Sequence, residues 1–214
     1  SIARESDYVM YTYAGPEIAV ASTKAYTTQI AALFALIGRM AVVRGAFNEE
    51  QEKSFVDALM QAPDAIQKVL DRKKEMHHIA RGLLEAKDAF MLGRGLDYAI
   101  LLEGALKLKE VSYIHTEAYA SGELKHGTIA LITEKTPVVA LVTQERVRDK
   151  ELSNIREVQS RGASVVILVK DGIDLADADY THVFTLPAMD DVAMAFPASA
   201  ALQLLAYYVS MDRG

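Results

Sequence analysis

The sequence predicts an α/β fold built on a parallel sheet, and three observations carry that expectation. The segments PVVALV (137–142), VVILV (165–169) and HVFTL (182–186) are short runs rich in β-branched and apolar residues, the signature of strands covered on both faces. Helical patterns follow them: an amphipathic one over 146–161 and an apolar one over 196–211, the latter including Gln203 and Tyr207. Upstream, AFML (89–92) runs into Gly93-Arg94-Gly95 and then a long apolar segment opened by Asp97, which reads as strand, glycine turn and capped helix. With 214 residues, 51% of them hydrophobic, the chain can bury a sizeable core as one large or two small domains.

The elements before that core follow in order. Residues 8–12 (YVMYT) read as a strand and Ala14-Gly15-Pro16-Glu17 as the turn after it. Ser22 and Thr23 then cap a helix that passes through Gln29, Leu33, Ile37 and Met40 to Gly45. Free amides at such a start can hold an anion, and plain capping explains the same residues equally well. Residues 48–87 are helical throughout, with Asn48-Glu49-Glu50-Gln51 as a cap and Pro63 as a break between helices. His77 and His78 lie among charged residues, and neighbouring helical positions point apart, so the pair reads as solvated and not as a metal site.

Composition excludes several function classes. A net charge of -6 with scattered Lys and Arg argues against nucleic-acid and anionic-membrane partners. Zero cysteines exclude disulfides, thiolate metal ligands and a cysteine nucleophile, and accord with a cytoplasmic setting. No membrane span is expected, because the most apolar region, 30–43, contains Gly38 and Arg39 and falls short of roughly 20 residues. A dinucleotide cofactor is disfavoured, since Tyr98 stands where the third glycine of that fingerprint belongs; no cofactor and no metal are expected.

The candidate active site lies between Gly93 and Gly127. Glu103, Lys107 and Glu110 are spaced by four and three residues, which puts them on one helical face. Leu101, Leu102, Ala105, Leu106, Leu108 and Val111 surround that stripe, so the helix is expected to be largely buried. A polar turn bracketed by glycine, SGELKHG (121–127), follows and brings His126. Carboxylates, a lysine and a histidine suit proton transfer beside a carbonyl, with a carboxylate moving the proton and a cation stabilising the enolate oxygen. Spacing alone also fits an ordinary Glu103–Lys107 surface ion pair, and a lone His126 also fits a surface or hydrogen-bonded core histidine.

The motifs EGALKLKE (103–110) and SGELKHG (121–127) resemble the second sugar-isomerase (SIS) domain of the glutamine:fructose-6-phosphate amidotransferase, or glucosamine-6-phosphate synthase, family. EIAVASTKAYTTQ (17–29) is similar to the matching stretch of that family's first SIS domain, and the resemblance runs in order along the whole chain. It implies a three-layer α/β/α, flavodoxin-like fold: residues 1–87 as the C-terminal part of the first SIS domain plus a helical connector, and 88–214 as the second. It further implies conversion of fructose 6-phosphate and glutamine-derived ammonia to glucosamine 6-phosphate. In that resemblance Glu110 shuttles a proton between C1 and C2, His126 assists ring opening from the neighbouring subunit of a homodimer, and Lys107 steadies charge near O1 or assists the proton transfer. Glu103 supports the pair, and Val20 and Ser22 lie beside the sugar. The family's glutaminase domain, phosphate-holding Ser/Thr loop and Schiff-base lysine are expected outside these 214 residues, so this stretch alone is expected to be inactive. Two other classes compete: a stand-alone SIS sugar-phosphate isomerase or deaminase, and a non-catalytic phosphosugar-sensing module.

Overall fold

The computed structural model describes residues 2–176 and 179–214, which form two compact units, Ser1–Met60 and Gln61–Gly214. In the first unit a short α1 (Ile2–Glu5) precedes an irregular segment, and then come α2 (Lys24–Val43) and α3 (Glu49–Met60). The strand expected over 8–12 does not form; Tyr8 is 96% and Tyr11 65% exposed. A strand needs a neighbour to receive its backbone hydrogen bonds, and no strand is described in this unit.

Helix α2 starts well before its apolar run. Thr27 and Thr28 return their hydroxyl hydrogens to the carbonyls of Thr23 (3.2 Å) and Lys24 (3.0 Å), so the hydroxyls of this polar first turn are satisfied within the helix. The helix therefore reaches 20 residues with a mean hydropathy of 1.4 in its most apolar window, long and apolar enough by those measures to cross a membrane, contrary to the expectation from residues 30–43. Core helices of water-soluble proteins pass the same test. The expected cap of α3 is present as a reciprocal pair: Gln51 N–H donates to Asn48 Oδ1 (2.9 Å) and Asn48 N–H to Gln51 Oε1 (3.0 Å).

In the second unit α4 (Ala62–Asp71) carries Pro63 in its first turn, where the missing N–H costs nothing, and α5 (Lys73–Ala80) follows. Then come β1 (Asp88–Gly93), α6 (Leu96–Ser112), β2 (His115–Ala120), α7 (Ser121–Leu124), β3 (Pro137–Val142), α8 (Arg148–Gln159), β4 (Ser164–Lys170), β5 (His182–Leu186) and α9 (Ala195–Arg213). The five strands pair in parallel in the order β2-β1-β3-β4-β5, a doubly wound arrangement whose direction reverses between β1 and β3.

Alternate strand residues serve the two sides of the sheet. Phe90, Val138, Ala140, Val165 and Ile167 pack with Leu152, Ile155 and Val158 of α8, while α6 and α9 pack together on the other side. α4 and α5 lie against α9. The contact between α6 and α9 is close, because a Cβ at Gly104 would stand 2.8 Å from Leu202 Cδ1. His77 corrects the solvated reading: its ring stacks on Tyr208 at 4.4 Å and its Nε2 lies 2.8 Å from Asp212, a pairing that a charged-segment argument does not reveal.

Candidate active site

The charged stripe sits on α6, whose N-terminal end adjoins the carboxyl edge of β1. Lys107 is central. Its Nζ donates to Glu110 Oε2 at 2.6 Å and lies 3.5 Å from Glu103 Oε1, so the predicted spacing brings all three groups together. Side-chain exposure grades along the stripe, from 6% at Lys107 and 14% at Glu103 to 36% at Glu110. The supporting pair is covered and Glu110 faces out, which is what a base needs to meet a substrate while its orientation is held by a charge-assisted bond. Burial pushes the Glu103 carboxyl up from its ordinary range, an effect opposed by Lys107 and reinforced by Glu110. The helix is less enclosed than its apolar neighbours suggest: Leu102 and Leu106 are 48% and 42% exposed, because α9 and the sheet cover only one side.

His126 is placed elsewhere. It is exposed just beyond α7, with its backbone N–H donating to Glu123 O at 3.0 Å. Ala120 at the end of β2 pairs with Gly93 at the end of β1, so α7 leaves from the carboxyl edge of the sheet. Helix α6 starts at that edge and runs 17 residues, about 25 Å, with Glu110 in its last turns. His126 and Glu110 of one chain thus belong to opposite edges, and the structure does not bring them together.

Val20 and Ser22 belong to the first unit. Val20 is fully exposed, and Ser22 Oγ donates to Glu17 Oε2 at 2.9 Å. Glu17 is a residue the sequence reading passed over. Its Oε1 accepts from the backbone N–H groups of Thr23 (2.7 Å) and Lys24 (3.0 Å), so the start of α2 holds the protein's own carboxylate. Those bonds, the Thr23 amide first, hold the Glu17 carboxyl down at about 2. The signal was available: an acid before two hydroxyl residues at a helix start. Thr23 occupies the cap position but makes no side-chain capping bond, because Glu17 takes that role.

A second polar cluster, also missed, lies at the carboxyl edge where β1 and β3 diverge. The Asp97 carboxylate accepts from the Thr143 backbone N–H (2.8 Å) and hydroxyl, tying the first turn of α6 to the residue after β3. It does not cap its own helix, whose cap position is Gly95. Burial, first among the causes, pushes Asp97 up to about 6 and Glu151 up to about 7. Glu151 accepts from Ser121 Oγ (2.7 Å), and Arg94 donates to Asn154 Oδ1 (2.6 Å). Sequence spacing could not join residues from 94, 121 and 151. Among the described residues no cluster of three or more His, Cys, Asp or Glu has the arrangement of a metal site.

Comparison with known proteins agrees with this fold. The SIS domain model matches residues 82–212. The chain is 46% identical over its full 214 residues to glutamine–fructose-6-phosphate aminotransferase (isomerizing) of Clostridium tetani, covering 35% of that protein, and 46% identical to the Methanosarcina acetivorans protein of the same name, covering 34%. It thus spans about a third of the length of these curated relatives. Among solved structures it superposes on the C-terminal domain of glucosamine-fructose-6-phosphate aminotransferase from Francisella tularensis with a TM-score of 0.96 at 39% identity, covering all of this chain and 60% of that one. A glucosamine-6-phosphate deaminase from Thermotoga maritima (TM-score 0.69, 23% identity, covering 100% of this chain and 60% of that one) shares the fold. A doubly wound parallel sheet, the charged stripe on its first helix and a matching family model lead to one assignment: the chain belongs to the SIS domain family.

Proposed function

We propose that this chain is the isomerase part of a glutamine–fructose-6-phosphate aminotransferase, acting on fructose 6-phosphate and glutamine-derived ammonia to form glucosamine 6-phosphate in the cytoplasm. One observation carries the reading: an outward-facing Glu110 held at 2.6 Å by a buried Lys107, itself backed by Glu103. Glu110 moves the proton between C1 and C2 of the sugar, and Lys107 both orients that carboxylate and offers positive charge to the oxygen where charge develops. His126 assists ring opening. Because one chain holds Glu110 and His126 at opposite edges of its sheet, the histidine of each site is supplied by the neighbouring subunit of a homodimer. Val20 and Ser22 contact the sugar, and a glutaminase domain elsewhere in the full-length protein supplies ammonia.

Full-length protein carrying Glu110→Gln tests the assignment. Removing the base while keeping its shape is expected to lower glucosamine 6-phosphate formation by about two orders of magnitude or more, with the circular dichroism spectrum unchanged. Formation at a near-normal rate would remove Glu110 from the role.

A further inference from the structure

Helix α7 has only four residues, too short to hold itself in place, and the segment after it, Lys125-His126-Gly127, is exposed. Three successive anchors secure its body. Ser121, 1% exposed, donates its hydroxyl hydrogen to Glu151 of α8. Gly122 lies under the Arg94 guanidinium so closely that a Cβ there would stand 2.8 Å from its Nη2, and that guanidinium is itself held by Asn154. Leu124, 2% exposed, packs into the core of the α8 side.

A buried carboxylate is costly, and apolar packing could hold a short helix as well. Glu151 is 1% exposed, and its Oε2 together with Arg94 Nε are buried side-chain atoms without a hydrogen-bond partner among the described residues, 3.8 Å from each other. What a hydroxyl–carboxylate bond adds over packing is direction, because its strength falls steeply with angle. We propose that Ser121 and Glu151 are positioning residues that set the direction in which α7 presents His126, an inference that rests on the reading of His126 as the ring-opening group. The residues touch no substrate; they act through the turn.

Two measurements test this. In full-length protein, Ser121→Ala is expected to speed amide hydrogen exchange across 122–127, including the His126 amide, by about tenfold or more, with β1, β3 and β4 changed by less than about twofold. Glu151→Gln keeps an acceptor for Ser121 and is expected to stay near wild type there, whereas Glu151→Leu reproduces the Ser121→Ala result. In full-length protein, Ser121→Ala is expected to lower kcat by about tenfold with KM little changed, and Ser121→Ala combined with His126→Ala to be no slower than His126→Ala alone. Unchanged exchange over 122–127, protection lost evenly across the sheet, or fully additive rate losses would each overturn the proposal. A wild-type rate for His126→Ala would instead remove the ring-opening role, and the exchange result would still decide whether the clamp orders the turn.

Discussion

Two buried carboxyl groups at the carboxyl edge of the sheet make the stability of the second unit depend on pH. The ordinary value for a glutamate here is 4.5, and burial lifts Glu151 to about 7; Asp97 rises from 3.8 to about 6 for the same reason. A folded-state value above the unfolded one means that the folded protein holds the proton more tightly. The stabilisation is fully present below the unfolded value and is lost as pH climbs through the folded one. Melts between pH 4.5 and 7.5 are therefore expected to show stability declining with pH, Glu151 contributing roughly 3 kcal/mol at most. Glu151→Gln cannot titrate and should flatten that slope, leaving the Asp97 share at lower pH. A variant melting with the wild-type slope would mean that Glu151 is ionised in the folded protein throughout. The stripe on α6 shows the opposite use of charge: Lys107 lies between two carboxylates, so each buried group has a partner.

At the scale of elements, the pairing of α6 with α9 holds the candidate site in register. Gly104 sits one residue past Glu103 on the face turned toward α9, and Leu202 fills the space a side chain would take. Gly104→Ala gains helix propensity of about 1 kcal/mol but forces Cβ against Leu202 Cβ at 3.2 Å and Cδ1 at 2.8 Å. A net loss of about 1 to 2 kcal/mol in denaturant unfolding is expected, largely recovered when Leu202→Ala makes room. Failure of the second substitution to compensate would show that the helices have slack at that crossing. Glu110 activity is expected to suffer with the first change, since a shift of α6 moves the whole stripe.

The arrangement of the whole molecule bears on how sites are assembled. With His126 and Glu110 at opposite edges of one sheet, full-length Glu110→Gln and His126→Ala proteins, each nearly inactive, are expected to regain part of the wild-type rate when their subunits are exchanged. Hybrid dimers would then contain one site with both residues intact; verified exchange with no recovery would contradict sharing. Much of this design was legible in the chain. The apolar runs at 137–142 and 165–169 became β3 and β4 because strands covered on both faces must be apolar throughout, whereas 182–186 became β5 at the edge of the sheet, where Val183 is 41% exposed and the expected cover on both faces is not present. The four-and-three spacing of Glu103, Lys107 and Glu110 guaranteed a shared face once α6 formed, since helical geometry is local. Edge strand β2, HTEAYA, escaped notice because its outer side needs no apolar cover and its residues mix polar with apolar. Residues 8–12 have strand character but no described neighbour strand, and pairing is not a local property. The same reason governs the site: spacing determined that Lys107 reaches Glu110. Only the tertiary structure, by folding α7, α8 and the end of β1 together, decided that Ser121, Glu151 and Arg94 meet and that His126 is exposed just beyond α7, because contacts between residues far apart in sequence depend on how the layers pack.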